Sequence, residues 1–202
     1  MEKTAVRPVL RTRREQFRGG GRASLIGTGF GVMWFALGQA VVHGAARPYV
    51  LAAGALLFAA SAATVVRLFL LARATPADEP GVPPPPGGGG PKFLTVLLVE
   101  VAVLGAGNNV LRTTLDRPEM MLSWSALVVG AHFFPLARTL RAPVLRLVGA
   151  AMLATVGLAA VAVLGLGADG QAWSYVPGLG CAAVLWGGTA LSGLRAGRTT
   201  RD

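Results

Sequence analysis

Few residues in this chain are equipped for covalent or metal chemistry. It holds one cysteine and two histidines in 202 residues, so neither an intrachain disulfide nor a CxxC metal pair can form. Cys181 stands inside an apolar block and reads as a small packing residue. There is no HExxH, no GxSxG, no glycine-rich phosphate loop and no grouping of His, Cys and Asp. These absences argue against an enzyme, and against a resident cofactor or a metal such as structural zinc or haem iron.

Charge is scarce as well. Only 14% of residues are charged and nine are acidic, whereas a soluble domain carries about 25% charged residues. Against this stand 53% hydrophobic residues and a mean hydropathy of +0.57. The apolar residues gather in blocks of roughly 20, long enough to cross a hydrocarbon core about 30 Å thick. The formal charge of +10 does not point to nucleic acid, because the basic residues sit at block ends and form no stripe interleaved with aromatics. The abundance of Ala, Gly and Arg relative to Lys hints at a bacterial, high-GC source, and hence at the inner (plasma) membrane of a bacterium.

Six candidate spans follow one another: about 24–43, 49–71, 93–111, 121–138, 144–166 and 173–194. Residues 1–23 read as a basic cytoplasmic tail; its Arg13–Arg14 pair faintly resembles an export signal, but the block behind it is too long for one. Residues 24–71 form a two-helix unit and 93–194 a four-helix unit, with a short cytoplasmic tail at 195–202. Between the units, 72–92 contains Pro83 to Pro86 and then Gly87 to Gly90, a segment with no apolar residues to bury that reads as a disordered linker. Alternate segments separate the basic residues cleanly. Sixteen of the 19 lie on the side of the two termini and only Arg47, Arg112 and Arg117 on the other, which places both termini in the cytoplasm. The fold expected is therefore an all-α membrane protein with six transmembrane helices.

Within the spans, small residues suggest helix contacts: Gly27 with Gly31, and Gly188 with Ser192. Trp173, Tyr175 and Trp124 read as interfacial anchors, Trp34 and Trp186 as packing residues. Only one acidic residue, Glu100, lies well inside a span. A retained charge there costs a few kcal/mol on insertion scales, so it faces protein or water. At 1.5 Å per residue Glu100 lies about 10 Å from the start of its helix and His132 about 9 Å from Arg138, so the two share one level. Asn108 and Asn109 follow two turns beyond Glu100, and Ser125 shares a helix face with His132. Glu100, His132, Asn108, Asn109 and Ser125 thus make up a candidate polar seam between the third and fourth helices. Pro135, one turn beyond His132, withholds a hydrogen bond from the carbonyl of Ala131.

The segment GAHFFPLARTLRAPVLRLVGA, residues 130–150, resembles a stretch in a family of small bacterial multi-pass membrane proteins with a GxHFxPLAR core. The resemblance marks Gly130, His132, Phe133, Pro135, Leu136, Ala137, Arg138, Pro143 and Gly149 as family-typical, and it implies no activity. Two functions then compete. In the favoured one the chain is a structural or accessory membrane subunit, embedded in the lipid bilayer, with its basic N-terminal tail meeting anionic lipid. In the other it is a small proton-coupled carrier or permease with a polar path at Glu100 and His132. A protein partner or a homo-oligomer is left open by the residues.

Overall fold

The computed structural model describes residues 12–77 and 93–198. Among them there are six long helices and no strands: α1 (Arg13–Gln39), α2 (Ala46–Ala74), α3 (Phe93–Thr113), α4 (Met121–Thr139), α5 (Val144–Ala160) and α6 (Ala172–Arg198). A 3-10 turn, Pro118–Met120, leads into α4, and a π-helical turn, Val161–Gly165, extends α5. The proline–glycine stretch lies outside the described residues.

The first helix starts well before its apolar block. Thr12 caps it: its hydroxyl accepts from the Glu15 amide, and the Glu15 carboxylate accepts from the Thr12 amide. This reciprocal box satisfies two of the donors that a helix start leaves open. Residues 13–23, expected as tail, are therefore the first turns of α1. Five helices, α2 to α6, are long and apolar enough to cross a membrane. Helix α1 falls short, since its early turns carry Arg13, Arg14, Arg18 and Arg22 and its apolar stretch is interrupted by glycines.

Packing runs inside out relative to a soluble bundle. Hydroxyl side chains are buried, including Ser61, Thr28, Thr64, Ser123, Thr155 and Thr189, while large apolar side chains such as Leu56, Leu94, Leu98, Leu147 and Leu164 lie exposed. Water penalises such a surface, and a bilayer does not. The buried hydroxyls are used: Thr28 and Ser61 meet at 2.6 Å between α1 and α2, and the Trp186 indole donates to the Thr28 carbonyl from α6 at 3.1 Å. In lipid these bonds and close backbone contact hold helices together, because apolar burial alone offers little there.

Helix α6 is the hub, packed against α1, α2, α4 and α5. The two-helix unit therefore closes on the last helix of the four-helix unit. At the core, Trp34, Trp186, Met152, Cys181, Ala126 and Ala182 are almost fully buried, as Trp34 and Trp186 were expected to be. Gly31 lies under the Trp186 ring and Gly27 faces Thr189, so the Gly27–Gly31 pair is an α1–α6 contact within the chain. Gly188 and Ser192 are both exposed and nothing approaches Gly188, so this spacing builds no contact among the described residues. The close approaches of α6 lie instead at Gly178 against Gly38, Gly180 against Thr155 and Gly193 against Thr64.

Pro177, fully buried in α6, shows how a break is absorbed. Proline has no amide hydrogen for the carbonyl four residues back, that of Trp173. The Ser123 hydroxyl of α4 donates to that carbonyl at 2.6 Å, and Ser174 donates to the Glu119 carbonyl at 2.9 Å. Ser123→Ala should lower stability by about 1–2 kcal/mol by stranding a buried acceptor. Thermal unfolding in detergent checks this; an unchanged midpoint would mean the carbonyl finds another donor.

Candidate functional site

Helix α3 packs chiefly along α4, on the flank of the bundle away from α1 and α2. The two helices meet through polar and aromatic groups. The Nδ1 atom of His132 lies 3.1 Å from Oε1 of Glu100. Both side chains are mostly buried, with 18% and 10% of their surface exposed. The two atoms touch off the line of a hydrogen bond, and among the described residues Nδ1 has no other partner. The His132 ring stacks on Phe133, which also packs against the core.

Two turns away, Nδ2 of Asn108 reaches Oγ of Ser125 at 3.4 Å, and Oδ1 of Asn108 is buried with no partner among the described residues. Between these two pairs sits Trp124. Its ring covers Gly107, where a Cβ would collide with it, and its indole donates to the Val103 carbonyl at 3.3 Å. The seam is thus two polar pairs separated by an aromatic plug. Asn109 takes no part in it: its side chain is exposed, and its backbone carbonyl accepts from the Thr113 hydroxyl.

Beside the Glu100–His132 pair lies an open groove of about 450 Å³. Val96, Val99 and Val103 of α3 and Leu127, Val128 and Ala131 of α4 form its walls, Trp124 bounds it along the helices, and Glu100, His132 and Pro135 also line it. Among the described residues neither a lysine nor an arginine lines it. It opens to the side, since Val99, Val103 and Leu127 on its rim are exposed apolar residues of the kind that face lipid.

No family model, no curated protein and no solved structure matches the chain. What the site does must come from its own geometry. The segment 130–150 has a clear packing role. Gly130 and Gly149 bring α4 and α5 together so closely that a Cβ on Gly149 would lie 2.6 Å from the Gly130 carbonyl oxygen. Two residues on, a little over half a turn around α4, His132 faces α3. One stretch therefore holds α4 between a tight contact with α5 and a polar contact with α3.

The structure brings together Glu100 with His132 and Asn108 with Ser125, as the spacing suggested; it seats Trp124, read from the sequence as an interfacial anchor beside Ser125, against α3, and adds Ser123 and Gly107, which the sequence reading did not single out. Two signals were available. A proline inside an apolar block, Pro177, requires a donor for Trp173, and a glycine one residue before Asn108 leaves room for an aromatic ring.

Proposed function

We propose that the chain is a structural or accessory membrane protein whose bundle carries no solute through its centre. The observation that supports this reading most is the filled core: Trp34, Trp186, Met152, Cys181 and Ala126 are 0–2% exposed, and the buried acid–base pair lies at the flank. Helix α1 acts as a sixth span in this reading, because Leu25, Ile26, Phe30, Met33 and Leu37 give it an apolar outer face. Both termini are then cytoplasmic, with Arg14, Arg18 and Arg22 placed to meet anionic lipid. Reporter fusions after residues 85, 142 and 200 should read cytoplasmic, and fusions near 46, 116 and 170 external. A cytoplasmic signal at 116 rejects the six-span arrangement.

The rival reading, a proton-coupled carrier, draws support from the 3.1 Å approach of Glu100 and His132. Cysteines placed singly along residues 96–111 and 125–135, in a Cys181→Ala background, separate the two. A membrane-impermeant thiol reagent should label only positions near the helix ends. Continuous labelling along one face of α3 or α4 defeats the accessory reading in favour of the carrier.

A further inference from the structure

We propose that the first half of α3, residues 94–104, is a swinging arm, hinged at Gly105 and Gly107 and latched by Glu100 on His132, that opens the α3–α4 seam sideways to the surrounding lipid. The proposal holds whichever of the two functions the bundle serves.

The two halves of α3 are held unequally. Of residues 94–104 only Val96 and Glu100 are buried, one turn apart, and the open groove runs beside them. The later half is anchored. Asn108 reaches Ser125, the Trp124 ring sits on Gly107, and beyond the helix the Leu115 and Arg117 amides donate back to the Val110 and Leu111 carbonyls. The Glu119 carbonyl in the 3-10 turn that follows accepts from Ser174, which ties this end to α6.

Between the halves the backbone is soft. Glycine weakens a helix relative to alanine, and α3 carries Gly105 and Gly107 one residue apart. Nothing lies within 4 Å of a Cβ built on Gly105, so no packing contact calls for a glycine there. The Val103 carbonyl also has a donor in reserve. In an α-helix it accepts from the Gly107 amide, and the Trp124 indole donates to the same oxygen at 3.3 Å. When the helix opens at this step the carbonyl keeps a partner, as the Trp173 carbonyl does at Pro177.

The latch is one contact of moderate strength. Oε1 of Glu100 lies 3.1 Å from Nδ1 of His132 but off the line of a hydrogen bond, so it holds the arm without locking it. The walls that part when the arm swings, Val99 and Val103 on one side and Leu127 and Ala131 on the other, are apolar. Lipid chains cover such walls at little cost, which leaves the polar contact to set the balance between closed and open.

The test measures two distances by pulsed electron spin resonance on the full chain in phosphatidylcholine nanodiscs, in a Cys181→Ala background. Nitroxides on Leu94→Cys and Leu147→Cys report the arm against α5, and nitroxides on Val110→Cys and Leu164→Cys report the anchored half. All four positions are exposed, so the labels leave the packing intact. Glu100→Leu should raise the ratio of long to short distances in the arm pair about fivefold, the factor carried by one lost hydrogen bond, and leave the anchored pair unchanged. Gly105→Ala meets no neighbour, and should lower that ratio by about fivefold because alanine stiffens the hinge. It should do so in the parent chain as in Glu100→Leu, so the hinge is tested even where the Leu variant fails to fold. A single unchanged distance for the arm pair in Glu100→Leu, equal movement of both pairs, or no effect of Gly105→Ala would each overturn the proposal.

Discussion

Gly178→Ala should lower the stability of the bundle by about 3 kcal/mol, at the upper end of what overpacking costs. At this point α1 and α6 touch backbone to backbone. A Cβ on Gly178 would lie 2.5 Å from the Gly38 Cα and 2.8 Å from its nitrogen, and a Cβ on Gly38 would lie 2.7 Å from the Leu179 nitrogen. No side-chain rotation relieves such a contact, so the helices must separate. Separation would loosen the neighbouring contacts of the same interface, including Gly31 under the Trp186 ring and the Trp186 bond to the Thr28 carbonyl. Gly188→Ala on the same helix is the control: nothing lies within 4 Å, and its effect should be close to zero. The Gly38→Ala and Gly178→Ala double variant should cost less than the two single costs together, since one displacement relieves both clashes. Thermal unfolding in detergent measures all four proteins. Equal midpoints for Gly178→Ala and Gly188→Ala would mean that α1 and α6 are not in close contact.

The contrast between Gly178 and Gly188 also shows where the sequence was legible. Apolar block length located the six helices, five of them long and apolar enough to cross a membrane, because a span demands continuous apolar residues and little else competes with that signal. Charge at the ends marked the block boundaries but concealed the early start of α1, which is fixed by the local Thr12–Glu15 box. Small-xxx-small spacing selected Gly27 and Gly31 correctly and Gly188 and Ser192 wrongly, for a physical reason. Spacing places two small residues on one helix face but does not say which face meets a neighbour, and in a chain with 28 glycines many faces qualify. The polar residues behaved differently. Depth put Glu100 and His132 at one level but left open whether their side chains face each other, which only the packing of α3 on α4 decides. Asn109 escaped the seam because an amide next to the helix end meets interfacial water without cost, so nothing compels it inward.

The Glu100 variants should show that α3 is held by its polar contacts. Glu100→Leu removes the partner of His132, and should loosen α3 from α4 by about 1–3 kcal/mol, the cost of a stranded buried polar group. Glu100→Gln retains an amide that bonds the imidazole, and should stay within about 1 kcal/mol of the parent protein. The loss in Glu100→Leu should be local, because α3 packs chiefly against α4 while the core lies among α1, α4, α5 and α6. Amide hydrogen exchange distinguishes local from global opening. In Glu100→Leu the amides of residues 96–110 should exchange faster while those of residues 181–189, beside Trp34 and Met152, stay protected. Two further contacts limit the damage, the Trp124 seat on Gly107 and the Asn108–Ser125 pair. Glu100→Leu combined with Gly107→Ala, whose Cβ would collide with the Trp124 ring, should therefore release α3 far more than either change alone. If Glu100→Leu leaves the exchange of α3 unchanged, the Glu100–His132 contact does not hold the helix. If exchange rises throughout α6 as well, α3 is part of the cooperative core and the flank location assigned to the pair is wrong.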